Sequence, residues 1–268
     1  MNFKYIECVN DNPLINNFYE LNVGNSSIPL HSKVIPTAQC HIIFLKSSTP
    51  IEIVLKNNTY KNIGLVVLGQ SYKSYQLNAK AAYYNFGINF HPTGLYKLLK
   101  RDISKLTDKH EKLSEVSLDL FNLLNPLFEE QLDCNILAKK IEKQLLNIEI
   151  FENKNTELVD EAIKLIYNKE GKINVDELLK SIPISQKHLE VQFKKIVGLT
   201  PLKFIKLYKF LNLMKKYESK KASISQLIEY YGYYDLSHFT KDFMLFMNQK
   251  PTEYFKSDNE FLNNYLKR

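Results

Sequence analysis

The chain has 268 residues, 44% hydrophobic and 24% charged, a length that predicts two domains and a balance that excludes both a disordered chain and a membrane bundle. Lysine and arginine total 36 against 29 acidic residues, a formal net charge of +7, which points to an anionic partner. Three scattered cysteines, Cys8, Cys40 and Cys134, show neither disulfide nor zinc spacing, and no apolar run approaches about 18 residues, so a cytoplasmic protein without a membrane span is expected.

From about residue 28 to 92 the apolar residues fall into short runs: CHIIFL (40–45), IEIVL (51–55), IGLVVLG (63–69), YQL (75–77) and YYNFGINF (83–90). The breaks at 47–50 and 57–58 hold Ser, Thr, Pro and Asn, which suit turns, so sequential antiparallel strands in a small barrel or sandwich are predicted. Pro92 and Thr93 open a helical pattern in which Leu95, Leu98, Leu99 and Ile103 recur at helical spacing. Two further amphipathic helices are read between 114 and 150, on Leu118, Phe121, Leu124, Leu127 and Phe128, then on Ile136, Leu137, Ile141, Leu145 and Ile148. The polar run Glu152-Asn153-Lys154-Asn155 has no apolar anchor and marks the domain boundary. Beyond it nearly everything reads as short helices.

The charge is concentrated. Residues 180–221 carry 11 basic and 2 acidic side chains, while 1–155 carry 17 and 15, and 222–268 carry 5 and 6. Exposed helices usually mix both signs, so this stretch points to phosphate binding. Leading into it, Val175, Leu178 and Leu179 line a short helix interrupted at Ile182-Pro183. Ser185 is placed as the N-cap of a second helix, which buries Leu189, Phe193, Ile196 and Val197 and ends at Gly198. Two helices joined by a short turn form the motif that seats its second helix in the DNA major groove. The outward face then carries Gln186, Lys187, Glu190 and Val191 toward bases, with Lys194, Lys195, Lys203, Lys206 and Lys209 toward phosphates.

A second unit follows at 223–255. Ile224, Leu227 and Ile228 form its first core stripe, Gly232 its bend and Asp235 the next N-cap. Phe239, Phe243 and Phe246 turn inward, leaving Leu236, Ser237, Thr240 and Lys241 outward, with His238 at the margin. Between the units PLKFIKLYKFLNLMKKY (201–217), with Pro201 in its first turn, reads as a helix that fixes their separation.

This paired pattern resembles the DNA-binding domain of AraC-type transcription regulators over about residues 157–256. The resemblance rests on Ser185, Leu189, Phe193, the run Gly198-Leu199-Thr200-Pro201, Ile224, Gly232-Tyr233, Asp235, Ser237-His238-Phe239, Phe243, Pro251 and Tyr254. It implies two reading helices in successive major-groove segments about 10 bp apart. Two positions depart from the family pattern. Val191 stands where an arginine is usual, exchanging a guanine contact for apolar contact with a thymine methyl. Asn248 replaces a glycine, and asparagine can hold the same left-handed turn.

The segment GINFHPTGLYKLLKRDISKLTDKHEKLSEV (87–116) resembles the end of the cupin-like domain that precedes the paired units in a subgroup of these regulators. Cupins often bind metal, but His31, His41, His91 and His110 are far apart with no HxH spacing, so no metal site and no cofactor is assigned. Tyr60, Tyr72, Tyr75, Tyr83, Tyr84 and Phe86 sit at alternating strand spacing, where core pairing competes with a pocket. Of these, Tyr72, Tyr75, Tyr84 and Phe86 are the candidate effector-pocket residues. No nucleophile or phosphate-loop motif occurs, and the cysteines lack flanking cations, so no enzyme is expected.

The expected fold is thus an α+β two-domain chain: a cupin-like, mainly antiparallel β barrel domain (1–112), a helical connector or dimerisation segment (113–155), the double helix-turn-helix domain (156–258) and a tail (259–268). The expected function is sequence-specific binding of double-stranded DNA under the control of a small-molecule effector. RNA polymerase and a second copy of the chain are further candidate partners. The alternative is a cupin-like enzyme or ligand carrier tethered to nucleic acid by its helical tail.

Overall fold

The computed structural model describes residues 1–9, 11–219 and 222–256; the expected tail at 259–268 lies outside them. In chain order the strands are β1 (Asn2–Ile6), β2 (Ile15–Val23), β3 (Leu30–Val34), β4 (His41–Ser47), β5 (Ile51–Leu55), β6 (Asn58–Asn62), β7 (Gly64–Leu68), β8 (Tyr75–Ala79), β9 (Tyr83–Phe90) and β10 (His110–Lys112). All pairings are antiparallel, in a six-stranded sheet ordered β1-β2-β9-β4-β7-β10 and a four-stranded sheet ordered β3-β8-β5-β6. The expected barrel is therefore an open double sheet.

The runs HIIFL, GLVVL and the end of YYNFGINF are nearly continuous because the six-stranded sheet is buried on both faces. Leu21, Ile43, Leu45, Val66 and Leu68 face the four-stranded sheet and meet Ile51, Ile53 and Leu77. Phe18, Ile42, Val67, Phe86 and Ile88 point the other way, into a core shared with helices. Strands β1, β2, β3, β6 and β10 carry weaker patterns and escape the sequence reading. In β2, Asn16 and Asn17 interrupt the apolar run, and β3 and β6 are the two edges of their sheet.

The helices are α1 (Gly94–Leu99), α2 (Leu113–Val116), α3 (Leu118–Glu129), α4 (Cys134–Leu146), α5 (Lys154–Asn168), α6 (Val175–Ser181), α7 (Gln186–Val197), α8 (Pro201–Glu218), α9 (Ile224–Tyr230), α10 (Leu236–Met247) and α11 (Pro251–Tyr254). The helix expected from Thr93 is shorter than its periodicity: Lys100 takes φ 54 and stops it, and Ile103 returns in a separate 3-10 turn. Helices α3 and α4 cover the outer face of the six-stranded sheet, where Phe128 stacks on Phe44 at 4.4 Å and Leu120, Leu124, Leu137 and Ile141 are buried. Of the apolar residues on these two helices, Leu118, Ile136 and Leu146 remain exposed.

The polar run at 152–155 serves as a joint. Asn153 caps α5 by accepting from Asn155 N and Thr156 N, and Glu152 and Asp160 both pair with the buried Lys97 Nζ, at 2.7 and 2.8 Å. Thr93 Oγ1 adds a 2.6 Å hydrogen bond to Asp160. One contiguous core runs from the sheet through α5 into the C-terminal helices.

Candidate nucleic-acid interface

Each helix-turn-helix unit is assembled from local signals that the structure realises. Asn174 and Glu177 form a capping box at the start of α6. Ser185 Oγ accepts from His188 N at 3.3 Å to start α7, and Gly198, at φ 94, ends it. In the second unit Ser223 and Gln226 box the start of α9, and Asp235 Oδ1 accepts from His238 N at 2.7 Å to start α10. Asn248 ends α10 at φ 49, the left-handed geometry its glycine-like role requires.

Leu189, Phe193, Ile196 and Val197 of α7 are fully buried, as are Phe239, Phe243 and Phe246 of α10. That burial fixes which faces remain outside. On α7 the exposed set is Gln186, Lys187, His188, Glu190, Val191, Lys194 and Lys195, with His188 Nε2 paired to Asn155 Oδ1 at 2.8 Å. Gln186 Nε2 donates to Glu190 Oε1 at 2.9 Å, so two of the proposed readers are paired with each other. On α10 Ser237 and Lys241 are exposed, while His238 and Thr240 are half-buried, His238 lying edge-on to Tyr233 at 5.2 Å.

The sequence reading missed Tyr234, 93% exposed just before α10, and gave no base-reading role to Leu236, 65% exposed in its first turn. With Val191, 54% exposed on α7, they give both reading faces an apolar element. Helical spacing alone puts 236, 239 and 243 on one face; Leu236 lies outside because it is the first residue of α10, directly after the Asp235 cap.

The lysines of α8 divide differently from expectation. Lys203 is exposed but sits 5.3 Å from the Tyr72 ring of the N-terminal half, and Lys206 is half-buried. Lys209 is half-buried as well. Its Nζ lies 4.1 Å over the ring of Tyr233, in the turn before α10, where burial pushes its pKa down against the opposing pull of Asp242. Lys216 likewise pairs with Glu170 at 2.7 Å and lies over Tyr230. The basic excess is thus partly internal, and its outward part is carried chiefly by α7.

Both reading helices are held at their C-terminal ends by the N-terminal half. Thr107 Oγ1 donates to Gly198 O at 2.7 Å, and Ser74 N donates to Phe246 O at 2.8 Å. Tyr72 packs edge-on against Phe246 at 5.2 Å, and Lys33 Nζ donates to Gln249 Oε1.

The four candidate pocket residues do not converge. Tyr72 is at this joint, Tyr75 borders the space between the sheets, Phe86 is in the helix-facing core, and Tyr84 packs at its margin. The four histidines are also separate: His31 pairs with Asn78, His91 Nε2 with Asn12 O, His41 with Thr37 and Asn89, and His110 with Asn62. Burial pushes the Cys40 thiol up to about 12.

The fold and this face define a paired helix-turn-helix domain joined to a double-sheet domain. A family model described as a helix-turn-helix domain matches residues 178–257, and one described as a domain of unknown function (DUF6597) matches residues 12–112. The two matches place a helix-turn-helix domain after a domain of unknown function, the domain order that the sequence resemblance implies. No curated protein matches the sequence.

Among solved structures, ToxT from Vibrio cholerae is 13% identical over 95% of this chain and 98% of its own, with a TM-score of 0.47. The unsaturated fatty acid bound wild-type ToxT of Vibrio cholerae strain SCE256 is 16% identical over 92% and 96%, with a TM-score of 0.47. The AraC-like transcriptional activator CuxR is 15% identical over 75% of each chain, with a TM-score of 0.27. At these scores the likeness decides nothing about ligand or mechanism. Among the described residues no helix is long and apolar enough to cross a membrane.

Proposed function

We propose that the chain regulates transcription by reading a specific duplex DNA site with α7 and α10, under the control of a small molecule taken up by the N-terminal half. The observation that carries this reading is the pair of capped helices, each buried on one face by a rigid stripe and open on the other. On α7 the open face joins Lys187, Lys194 and Lys195 to Gln186, Glu190 and Val191. Cations beside hydrogen-bonding and apolar groups suit phosphates flanking base edges. On α10 the open face is mainly apolar and hydroxylic, with Lys241 as its cation, and Tyr234 and Leu236 suit thymine methyls.

The joint between the halves supports the regulatory part. Hydrogen bonds from Thr107 and Ser74 end on the two reading helices themselves, so a shift of the sheet moves the reading surfaces. A footprint of the full chain on a selected site tests the reading: protection of two adjacent major-groove segments about one helical turn apart is expected. Binding indifferent to sequence would overturn it.

A further inference from the structure

The space between the two sheets, about 60 Å³, is far below the roughly 300–1,000 Å³ of small-molecule sites. A larger cavity of about 290 Å³ lies where the end of the sheet domain meets α5 and α8. Asn16, Thr37, Gln39 and Asn89 line it from the sheet side, and Asn212 and Lys215 from α8. Tyr167 of α5 and Tyr208 of α8, stacked at 4.5 Å, complete the helical wall. Among the described residues lining it there is one cation and no carboxylate.

Its sheet-side wall is built by a buried relay. Asn89 Nδ2 donates to Asn17 Oδ1 at 2.6 Å, which turns Asn89 Oδ1 toward His41 Nδ1, also at 2.6 Å. His41 Nδ1 must therefore carry the ring proton, and its Nε2 accepts from the Thr37 hydroxyl at 2.7 Å. Burial holds His41 neutral, with a pKa pushed down to about 4 against the Asn89 hydrogen bond. With its single proton committed, Thr37 offers the cavity a hydroxyl oxygen as acceptor. Ala38, between Thr37 and Gln39, holds left-handed φ 57, a conformation alanine adopts only where its surroundings enforce it.

We propose that this cavity binds a small polyhydroxylated anion of monosaccharide size, a sugar acid or sugar phosphate. The amides and hydroxyls match ligand hydroxyls, Lys215 matches the carboxylate or phosphate, and no acidic side chain of the lining opposes it. The volume, at the lower edge of the ligand-site range, sets the size. Because α8 joins the two reading units, an occupant touching both walls ties the sheet to the helix that spaces them. That regulatory part rests on the DNA-binding reading; the binding itself does not.

Calorimetry on the full chain without DNA tests it, with gluconate and glucose 6-phosphate as probes and myo-inositol and hexanoate as controls. One-to-one binding of at least one hydroxylated anion is expected, the preferred one separating carboxylate from phosphate. Myo-inositol, which lacks the charge, and hexanoate, which lacks the hydroxyls, should bind at least tenfold more weakly. Lys215→Met should weaken the preferred probe at least tenfold and Thr37→Val severalfold, with circular dichroism confirming that each variant is folded. Should Lys215→Met fail to fold, Thr37→Val and the control ligands decide. Binding of neither anion, equal binding of myo-inositol, stronger binding of hexanoate, or unchanged affinity in both folded variants would overturn the proposal. A sequence-specific footprint obtained alongside any of those results would leave the DNA-binding reading intact.

Discussion

Two histidines buried in the sheet domain make its stability depend on pH in a calculable way. Burial pushes His41 down to about 4 and, with the nearby charge of His41 adding to it, His110 down to about 3, from the ordinary 6.5. Both are then neutral in the folded chain at pH 5, while in the unfolded chain both are largely protonated. The unfolded state binds more protons across this window, so stability falls as pH falls from about 6.5 toward 4. At pH 5 each histidine lies about 1.5 units below its unfolded pKa, a loss of about 2 kcal/mol apiece relative to pH 7.5. Urea denaturation at the two pH values should show about 4 kcal/mol of loss from the pair. His110→Asn should remove about half of that pair's contribution whatever it does to the absolute value, because it takes away one of the two titrating groups. A variant whose loss between the two pH values equals that of the parent chain would refute the assignment of a buried neutral His110.

Lys187→Ala should cost about 1–3 kcal/mol of DNA affinity and relax specificity at one base pair, measured on a panel of single-substituted sites. Lys195→Ala should weaken all sequences alike and flatten the salt dependence by about one unit. Lys209→Ala should leave that slope unchanged and instead lower the denaturation midpoint, because its ammonium is placed over Tyr233. In Gly198→Ala a Cβ would meet Thr107 Oγ1 at 2.9 Å in a backbone held at φ 94. A loss on the order of 1–3 kcal/mol in urea denaturation is expected. Thr107→Val removes the hydrogen bond to Gly198 O and should cost about 1 kcal/mol by the same assay.

The C-terminal half was legible because its signals are local. Ser185, Asp235, Gly198 and Pro201 each act within one turn of a helix, and the phenylalanine stripes fix the buried face by spacing alone. The strands were legible where both faces are buried, as in HIIFL and GLVVL, and illegible where an edge or a polar inner face replaces the pattern, as in β3 and β2. The fate of Lys209 could not be read in advance: a lysine at an outward helical position is drawn inward only by the Tyr233 ring and Asp242, which belong to a distant segment. The cavity at α8 was illegible for the same reason. Its walls come from Asn16, Thr37, Asn89, Tyr167 and Asn212, residues brought together only by docking the two halves, whereas the expected pocket followed the aromatic content of single strands.

The groups that the sheet domain holds on α7 and α10 are the carbonyl oxygens of Gly198 and Phe246. Any side chain at Gln186, Lys187, Val191 or Ser237 can therefore be exchanged without altering the hydrogen bonds of that joint. Target choice and signal reception are separable in this architecture: a chain can acquire a new DNA site by substitutions on the open faces and keep its control intact. Grafting the reading faces of another double helix-turn-helix domain onto α7 and α10 should then redirect the protein without disconnecting it from its N-terminal half.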